Sequence, residues 1–355
     1  MGKLRTKIKE SEMERIGILT GGGDCPGLNA VIRGVVRKAA ESNIKVIGIK
    51  NGWKGLVNID TMDLDLDKVE YILPKGGTIL GTSRTNPYKK PEDVQKVIDN
   101  YKKLKLDALV AVGGEDTLGV ANKLVKENKG INVVGCPKTI DNDLSGTDCT
   151  FGFDTAINIV TEAIDRLQTT AESHHRVMVV EVMGRHAGWI ALHSGIAGSA
   201  DYILIPEVPI NLDEVCAVLK IQHERGKLYS IVVAAEGAQF GKDMVTKDQK
   251  LDAFGHVILG GIGESLARMI EEKTGFETRS VVLGHLQRGG SPSAFDRVVA
   301  TKFGVKAMEL ALARKFGYMA SLQGTEVKEV PIQVAVGTLK TVDAKSYDLA
   351  KTFFG

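Results

Sequence analysis

Short apolar runs rich in Val and Ile recur along this chain, separated by longer stretches whose apolar positions return every three or four residues. Such runs read as buried strands and such stretches as helices lying on a sheet. Ile16-Gly17-Ile18-Leu19 precedes a helical pattern from about Leu28 to Glu41, then Val46-Ile47-Gly48-Ile49. Ala108–Val112, a helix through Leu118–Lys126 and a strand over Ile131–Gly135 come next. The second half repeats the alternation with a helix over 153–171, then Val177–Val182, Ile203-Leu204-Ile205 and Ile231–Ala234. Strands that are apolar throughout, not on every second residue, are covered on both faces, as in parallel sheets. The pattern predicts an α/β protein of largely parallel sheets with helices on both faces. It shows no internal repeat with a period of 20–50 residues.

At 355 residues the chain suits two lobes of ordinary size, with 43% hydrophobic and 25% charged residues giving it a substantial core. Lys and Arg number 46 against 44 Asp and Glu, a net charge of +2. So even a balance carries no footprint for nucleic acid or a membrane surface. Glycine is in excess, 40 of 355 or about 11% against a typical ~7%, as expected where backbone approaches a ligand. Cys25, Cys136, Cys149 and Cys216 show neither CxxC nor zinc spacing and read as free thiols of a reducing, cytoplasmic compartment. The opening MGKLRTKIKESEMER lacks the apolar core of a secretory signal, and residues 1–13 read as a solvated tail. No run has the apolar length of a membrane span.

The densest chemistry is Pro137-Lys138-Thr139-Ile140-Asp141-Asn142-Asp143, at the carboxyl end of an apolar run. Open α/β sheets keep their ligands at such ends. The segment offers a general base, a metal-facing carboxylate, a hydroxyl and a cation, which are the parts phosphoryl transfer needs. A polar turn would use Asp and Asn too. Three more segments share this placement. Thr20-Gly21-Gly22-Gly23-Asp24-Cys25-Pro26-Gly27 joins the first strand to the first helix and could cradle an anion with its amides. It is neither a Walker A loop nor a good dinucleotide fingerprint, and a tight βα turn would look the same. Gly113-Gly114-Glu115-Asp116-Thr117 is another glycine turn, with two carboxylates that could face Mg²⁺ or simply suit a helix start. Arg176 and Glu181-Val182-Met183-Gly184-Arg185-His186 flank a strand, as a structural ion pair or a phosphate clamp. Arg279 precedes Leu283-Gly284-His285-Leu286-Gln287-Arg288-Gly289-Gly290, where His and Arg before Gly-Gly point to a second phosphate site.

Taken in order, LTGGGDCPGLNA, GGEDT, PKTIDND, VVEVMGRHAGW and LGHLQRGGSP resemble the phosphofructokinase family of the bacterial type, from about Arg15 to at least Ala300. The resemblance implies two α/β lobes with the active site between them. Residues 14–152 plus about 289–342 would form the phosphate-donor lobe, and 153–288 plus about 343–355 the sugar-phosphate lobe. It casts Asp141 as the base that takes the proton of the C1 hydroxyl of fructose 6-phosphate. Thr139 falls beside the transferred group, and Asp143 and Glu115 on Mg²⁺. Gly22 and Gly23 fall in the donor loop, and Arg84 bridges donor and sugar phosphate. Met183, Gly184, Arg185 and Glu236 match sugar-holding positions, with Arg176, Arg279, His285 and Arg288 on the 6-phosphate. Arg176 and Arg279 would reach in from a neighbouring subunit, implying a homo-oligomer, a dimer or tetramer.

ATP-using bacterial members usually read Gly-Gly-Asp-Gly-Ser and Pro-Gly-Thr-Ile-Asp-Asn-Asp, whereas this chain has Glu115-Asp116 and Lys138. The resemblance associates that Asp and Lys with pyrophosphate as donor. A carboxylate at Asp116 fills the space of a nucleotide α-phosphate and repels it, by roughly 4 kcal/mol for unit charges about 4 Å apart at an effective dielectric of 20. Lys138 supplies a compact cation for the end of pyrophosphate. The expectation is therefore reversible, Mg²⁺-dependent transfer from pyrophosphate to fructose 6-phosphate. An ATP-dependent enzyme is the alternative, kept open by Arg33 and Arg37, which resemble effector-binding residues and would otherwise be a solvated helix face. A non-catalytic sugar-phosphate sensor fits less well, because Asp141, Asp143 and Arg185 are all present. Residue types in the sugar site leave room for a related acceptor such as sedoheptulose 7-phosphate.

Overall fold

A computed structural model describes residues 13–240 and 261–354. In chain order it begins β1 (Arg15–Thr20), α1 (Leu28–Ala40), β2 (Lys45–Ile49), α2 (Trp53–Asn58), β3 (Thr61–Leu64), α3 (Pro91–Lys103), β4 (Ala108–Gly113), α4 (Glu115–Lys126) and β5 (Val133–Pro137). Helix α5 (Phe153–His174) then leads to β6 (Val177–Val182), α6 (Trp189–Ala197), β7 (Tyr202–Leu204), α7 (Leu212–Glu224), β8 (Ser230–Ala235), α8 (Ile262–Thr274) and β9 (Thr278–Val282). The chain returns through α9 (Ala294–Leu312), β10 (Tyr318–Gln323), β11 (Glu326–Pro331) and α10 (Ile332–Gly337), and closes with α11 (Ala344–Lys351).

Two sheets result among the described residues. One has seven strands in the order β11-β10-β5-β4-β1-β2-β3, the other four in the order β7-β8-β6-β9. Pairing is parallel except at the edges of the larger sheet, where β2–β3 and β10–β11 are antiparallel. The uniform apolar character of the strands has the cause expected of it. In β4, Ala108, Val110 and Val112 face one core while Leu109 and Ala111 face another. In β6, Met178, Val180 and Val182 share that first core, whereas Val177 and Val179 enter a third. One continuous core therefore runs between the two sheets and fixes the lobes against each other. Fully burying one such Val or Ile contributes about 1.5–3 kcal/mol.

Several details differ from the sequence reading. The strand expected over Ile131–Gly135 begins at Val133 and runs on to Pro137, with Cys136 and Pro137 paired to Val112 and Gly113. A proline is tolerated there because it ends the strand. Helix α4 starts at Glu115, not near Leu118, because its first turn is acidic, as a helix N-terminus favours. Helix α5 runs on to His174. The edge strands β3 and β11 were not apparent, being part-exposed and interrupted by charge. Met13, assigned to the solvated tail, is buried in the first core; residues 1–12 lie outside the described residues. All four cysteines are unpaired. Among the described residues no helix is long and apolar enough to cross a membrane.

Candidate active site

Strands β2 and β4 lie on opposite sides of β1, so the chain leaves β1 and β4 in diverging directions. A crevice opens at such a switch point, beyond the carboxyl ends of the strands. The loops after β1, β4, β5, β6, β8 and β9 all contribute to one cavity of about 430 Å³ there. It is lined by Gly22, Gly23, Arg84, Glu115, Asp116, Lys138, Thr139, Asp141, Asp143, Met183, Arg185, Glu236, His285 and Arg288. Fourteen positions singled out in the sequence thus meet in one place. Gly184 adjoins the cavity between Met183 and Arg185 without lining it.

The glycine loop needs its glycines for two reasons. Gly22 has φ +81°, a left-handed conformation that side chains rarely adopt, and its amide donates to the Ser83 carbonyl at 3.1 Å. Thr82 Oγ1 donates to the Gly22 carbonyl at 2.6 Å, which ties the loop to the segment carrying Arg84. At Gly23 a Cβ would lie 1.6 Å from Nη1 of Arg288. Arg288, grouped above with His285 for the sugar phosphate, thus reaches across to the donor loop. Its Nε is buried without a partner among the described residues.

Lys138 extends under the same loop. Its side chain is buried and Nζ donates to the Gly23 carbonyl. Burial lowers its pKa, nearby Arg288 adds to that, and Asp141 and Asp143 oppose it. A buried ammonium whose charge is disfavoured chiefly by desolvation gains from an anionic ligand beside it.

Asp141 follows on the β5 loop. Its amide donates to Thr139 Oγ1 at 3.0 Å, while its Oδ1 is buried with no partner among the described residues. Burial, and then the neighbouring Asp143, push its carboxyl up to about 7, against the opposing pull of Arg288. Glu236, at the end of β8, is raised by burial and held down in part by Arg185. A carboxylate whose proton affinity sits near neutrality, in a pocket that also holds Arg84, Lys138, Arg185 and Arg288, is what general base catalysis requires. Glu115 and Asp116 stand exposed on the first turn of α4 across the cavity.

Arg176 and Arg279 do not reach this cavity. Both are paired with Glu277, at 2.7 Å and 2.6 Å, near the amino ends of β6 and β9. The cavity lies at the carboxyl ends of those strands. Arg33 and Arg37 are also remote from it. Arg37 makes an exposed ion pair with Glu70 at 2.6 Å, as a solvated helix face would. Sequence reasoning passed over several residues that complete the site. Asp24, Thr117 and His186 line the cavity from within motifs already noted. Gln287, fully buried, accepts from the Met183 amide at 3.2 Å and so joins the loop after β6 to the turn bearing His285 and Arg288. Its place between two phosphate-type residues was the only available signal.

Residues 15–311 match the phosphofructokinase family model. The chain is 56% identical over 343 residues to the pyrophosphate–fructose 6-phosphate 1-phosphotransferase of Streptomyces coelicolor, covering 96% of this chain and 100% of that protein. It is 50% identical over 335 residues to ATP-dependent 6-phosphofructokinase 3 of the same organism, covering 94% and 98%. Among solved structures, the phosphofructokinase of Pichia pastoris in the T-state superposes with a TM-score of 0.81 at 32% identity. That match takes in 96% of this chain but only 36% of the longer yeast chain. Fold, motif order and a match across most of its length agree: this chain belongs to the phosphofructokinase family.

Proposed function

We propose that the protein transfers a phosphoryl group from pyrophosphate to the C1 hydroxyl of fructose 6-phosphate, releasing phosphate and fructose 1,6-bisphosphate. One observation carries this reading: a single cavity holds a glycine loop over a buried lysine, a carboxyl whose pKa is about 7, and an Arg–His cluster. The names of relatives at 54–56% identity favour pyrophosphate, whereas relatives named for ATP stand at 48–50%.

In this scheme Asp141 takes the C1 hydroxyl proton as that oxygen attacks phosphorus, and the bond to the bridging oxygen of pyrophosphate breaks. Lys138, the amides of Gly22 and Gly23, and Arg84 hold the donor phosphates; Thr139 and Arg185 flank the group in flight. Electrostatic stabilisation of this kind supplies much of the rate in phosphoryl transfer. Met183, Gly184 and Glu236 hold the sugar, with His285 and Arg288 on its phosphate. The donor set fits Mg²⁺: six carboxylates line the cavity, yet among the described residues no three His, Cys, Asp or Glu gather as a closed cage. Mg²⁺ takes few protein carboxylates and keeps water and phosphate oxygens. Glu115 and Asp143 would hold it, where it would neutralise charge on the phosphates.

The lobe boundaries near residues 152, 288 and 342 belong to the same proposal, supported by the sheets: β1–β5 with β10 and β11 in one, β6–β9 in the other. So does a cytoplasmic setting, where unpaired thiols stay reduced. A homo-oligomer is part of the same proposal, supported by Arg176 and Arg279, which pair with Glu277 at the strand ends away from their own cavity. Arg279→Ala is expected to raise the KM for fructose 6-phosphate about 10- to 100-fold, the weight of a charge-assisted hydrogen bond. Mixing that variant with Asp141→Asn should restore activity through sites built from two subunits; no recovery after subunit exchange would place Arg279 outside a shared site.

The direct test is formation of fructose 1,6-bisphosphate with pyrophosphate and ATP supplied in parallel. Turnover with pyrophosphate and little with ATP is expected. Turnover with ATP alone would overturn the donor assignment and leave Asp141 in place.

A further inference from the structure

Between Asp141 and Asp143 the backbone of Asn142 is left-handed, with φ +52°. A non-glycine residue keeps such a conformation when its surroundings fix it. Here the flanking carboxylates take their direction from that turn. The Asn142 side chain is buried, and its Oδ1 accepts from the Thr150 amide at 3.1 Å.

The same Oδ1 accepts from Nζ of Lys340 at 3.1 Å, a residue 198 positions further along the chain. That ammonium also donates to the carbonyls of Thr147 at 3.0 Å and Asp148 at 2.7 Å. An ammonium has three N–H donors, so all of them are spent on this loop. Lys340 does not line the cavity, and a ligand-binding role does not fit it.

Its backbone makes two further links. The Lys340 amide donates to the Asp143 carbonyl at 2.8 Å, and its own carbonyl accepts from Trp189 Nε1 at 2.8 Å. Two residues on, the Val342 amide donates to Glu207 Oε1 at 2.8 Å, and that carboxylate also accepts from the Gly188 amide at 3.0 Å. Gly188 and Trp189 follow directly on the sugar-side segment Met183–Ala187. The strand-like pairing of Leu144 with Leu339 continues the contact on the other side.

We propose that Lys340 is a positioning residue for the phosphoryl transfer, holding the Asp141–Asn142–Asp143 turn through its ammonium and linking it through its backbone to the sugar-side loop at Gly188–Trp189. The activity part of this inference rests on the role given to Asp141. The geometric part does not. Both sides of the cavity are thereby referenced to one short segment, so that base and acceptor hydroxyl keep their relative placement. A displacement near 1 Å between reacting groups costs about 100-fold in rate.

The test compares the full-length protein with Lys340→Met and Lys340→Arg. In Lys340→Met, kcat is expected to fall about 10- to 100-fold, with the KM values for pyrophosphate and fructose 6-phosphate within about threefold. Lys340→Arg, which can still donate to the loop, should recover part of the loss. Hydrogen exchange on the ligand-free protein supplies the second readout. The Thr150 amide should exchange about tenfold faster in Lys340→Met, while the β6 amides keep wild-type protection. Wild-type kcat in Lys340→Met, unchanged exchange at Thr150, or equal loss of protection at Thr150 and β6 would each overturn the proposal. Should Lys340→Met not fold, Lys340→Gln keeps two donors, and the same two readouts decide on it. If the wild-type protein shows no turnover, the functional reading fails, and the exchange comparison still decides whether Lys340 holds the turn.

Discussion

Asp141→Asn is expected to lower kcat by about 10²–10⁴, the usual weight of a general base, and at the same time to make the ligand-free protein more stable. Both effects have one cause. Burial, and then Asp143, raise the Asp141 carboxyl to about 7, well above the ~3.9 of an unfolded chain. With the folded pKa the higher one, the folded state binds the proton more tightly. The stabilisation from protonation is complete below ~3.9 and is lost as pH rises through about 7. At pH 8 the wild-type site therefore carries a buried charge that Arg288 and Lys138 compensate only in part; the amide removes it, so Tm should rise by a few degrees. Near pH 4 both side chains are neutral and the difference should vanish. Catalysis runs the opposite way: the base must be ionised, so kcat/KM for bisphosphate formation should fall about tenfold per pH unit below 7. In the reverse reaction the same group must donate a proton, and its activity should fall above 7. Calorimetry at the two pH values and a pH–rate profile in each direction check this. An Asn variant with unchanged kcat would remove Asp141 from the mechanism; one that loses activity and Tm together would show misfolding.

Much of this site was legible in the sequence because the chemistry sits at strand ends. A parallel strand covered on both faces leaves a run such as Ala108–Val112 with no polar residue, so the glycines and carboxylates after it stand out. The topology then brings each such end to the same side of the sheets, and local motifs become neighbours without any long-range signal. What stayed hidden was of another kind. Edge strands β3 and β11 carry charge and bury only part of their length, so they read as loop. The reach of Arg288 over Gly23 depends on the direction of a long side chain, which spacing does not encode. Lys340 lies far from the motifs among ordinary polar residues, and only folding reveals that its ammonium closes the Asp141–Asp143 turn. The oligomer expectation drew on resemblance, yet it has a physical counterpart: Arg176 and Arg279 gather on Glu277 at the strand ends away from the cavity.

Asp116→Gly is expected to let the enzyme use ATP. The carboxylate stands exposed on the first turn of α4, lining the cavity beside Glu115. A nucleotide donor must lay an α-phosphate beyond the two phosphates that pyrophosphate supplies, and in the proposed site Asp116 would oppose it by charge and by volume. For unit charges about 4 Å apart the repulsion lies between about 1 kcal/mol in water and about 4 kcal/mol at an effective dielectric of 20. Exposure at this position argues for the lower half of that range. Removing the carboxylate should therefore raise kcat/KM for ATP by about 5- to 70-fold, with a much smaller change for pyrophosphate, whose phosphates the proposed contacts with Lys138 and the glycine loop would still hold. Glycine in the first turn costs less than the ~1 kcal/mol of a helix interior, so the fold should tolerate it. Two companions divide the cause. Asp116→Asn keeps the volume and removes the charge; Asp116→Ala removes the charge and most of the volume. Equal gains in all three would make repulsion the barrier, whereas a gain in Gly and Ala alone would make it space. If none of the three gains activity with ATP, donor choice resides elsewhere in the cavity, and Lys138, the other departure from the ATP-type pattern, becomes the residue to replace.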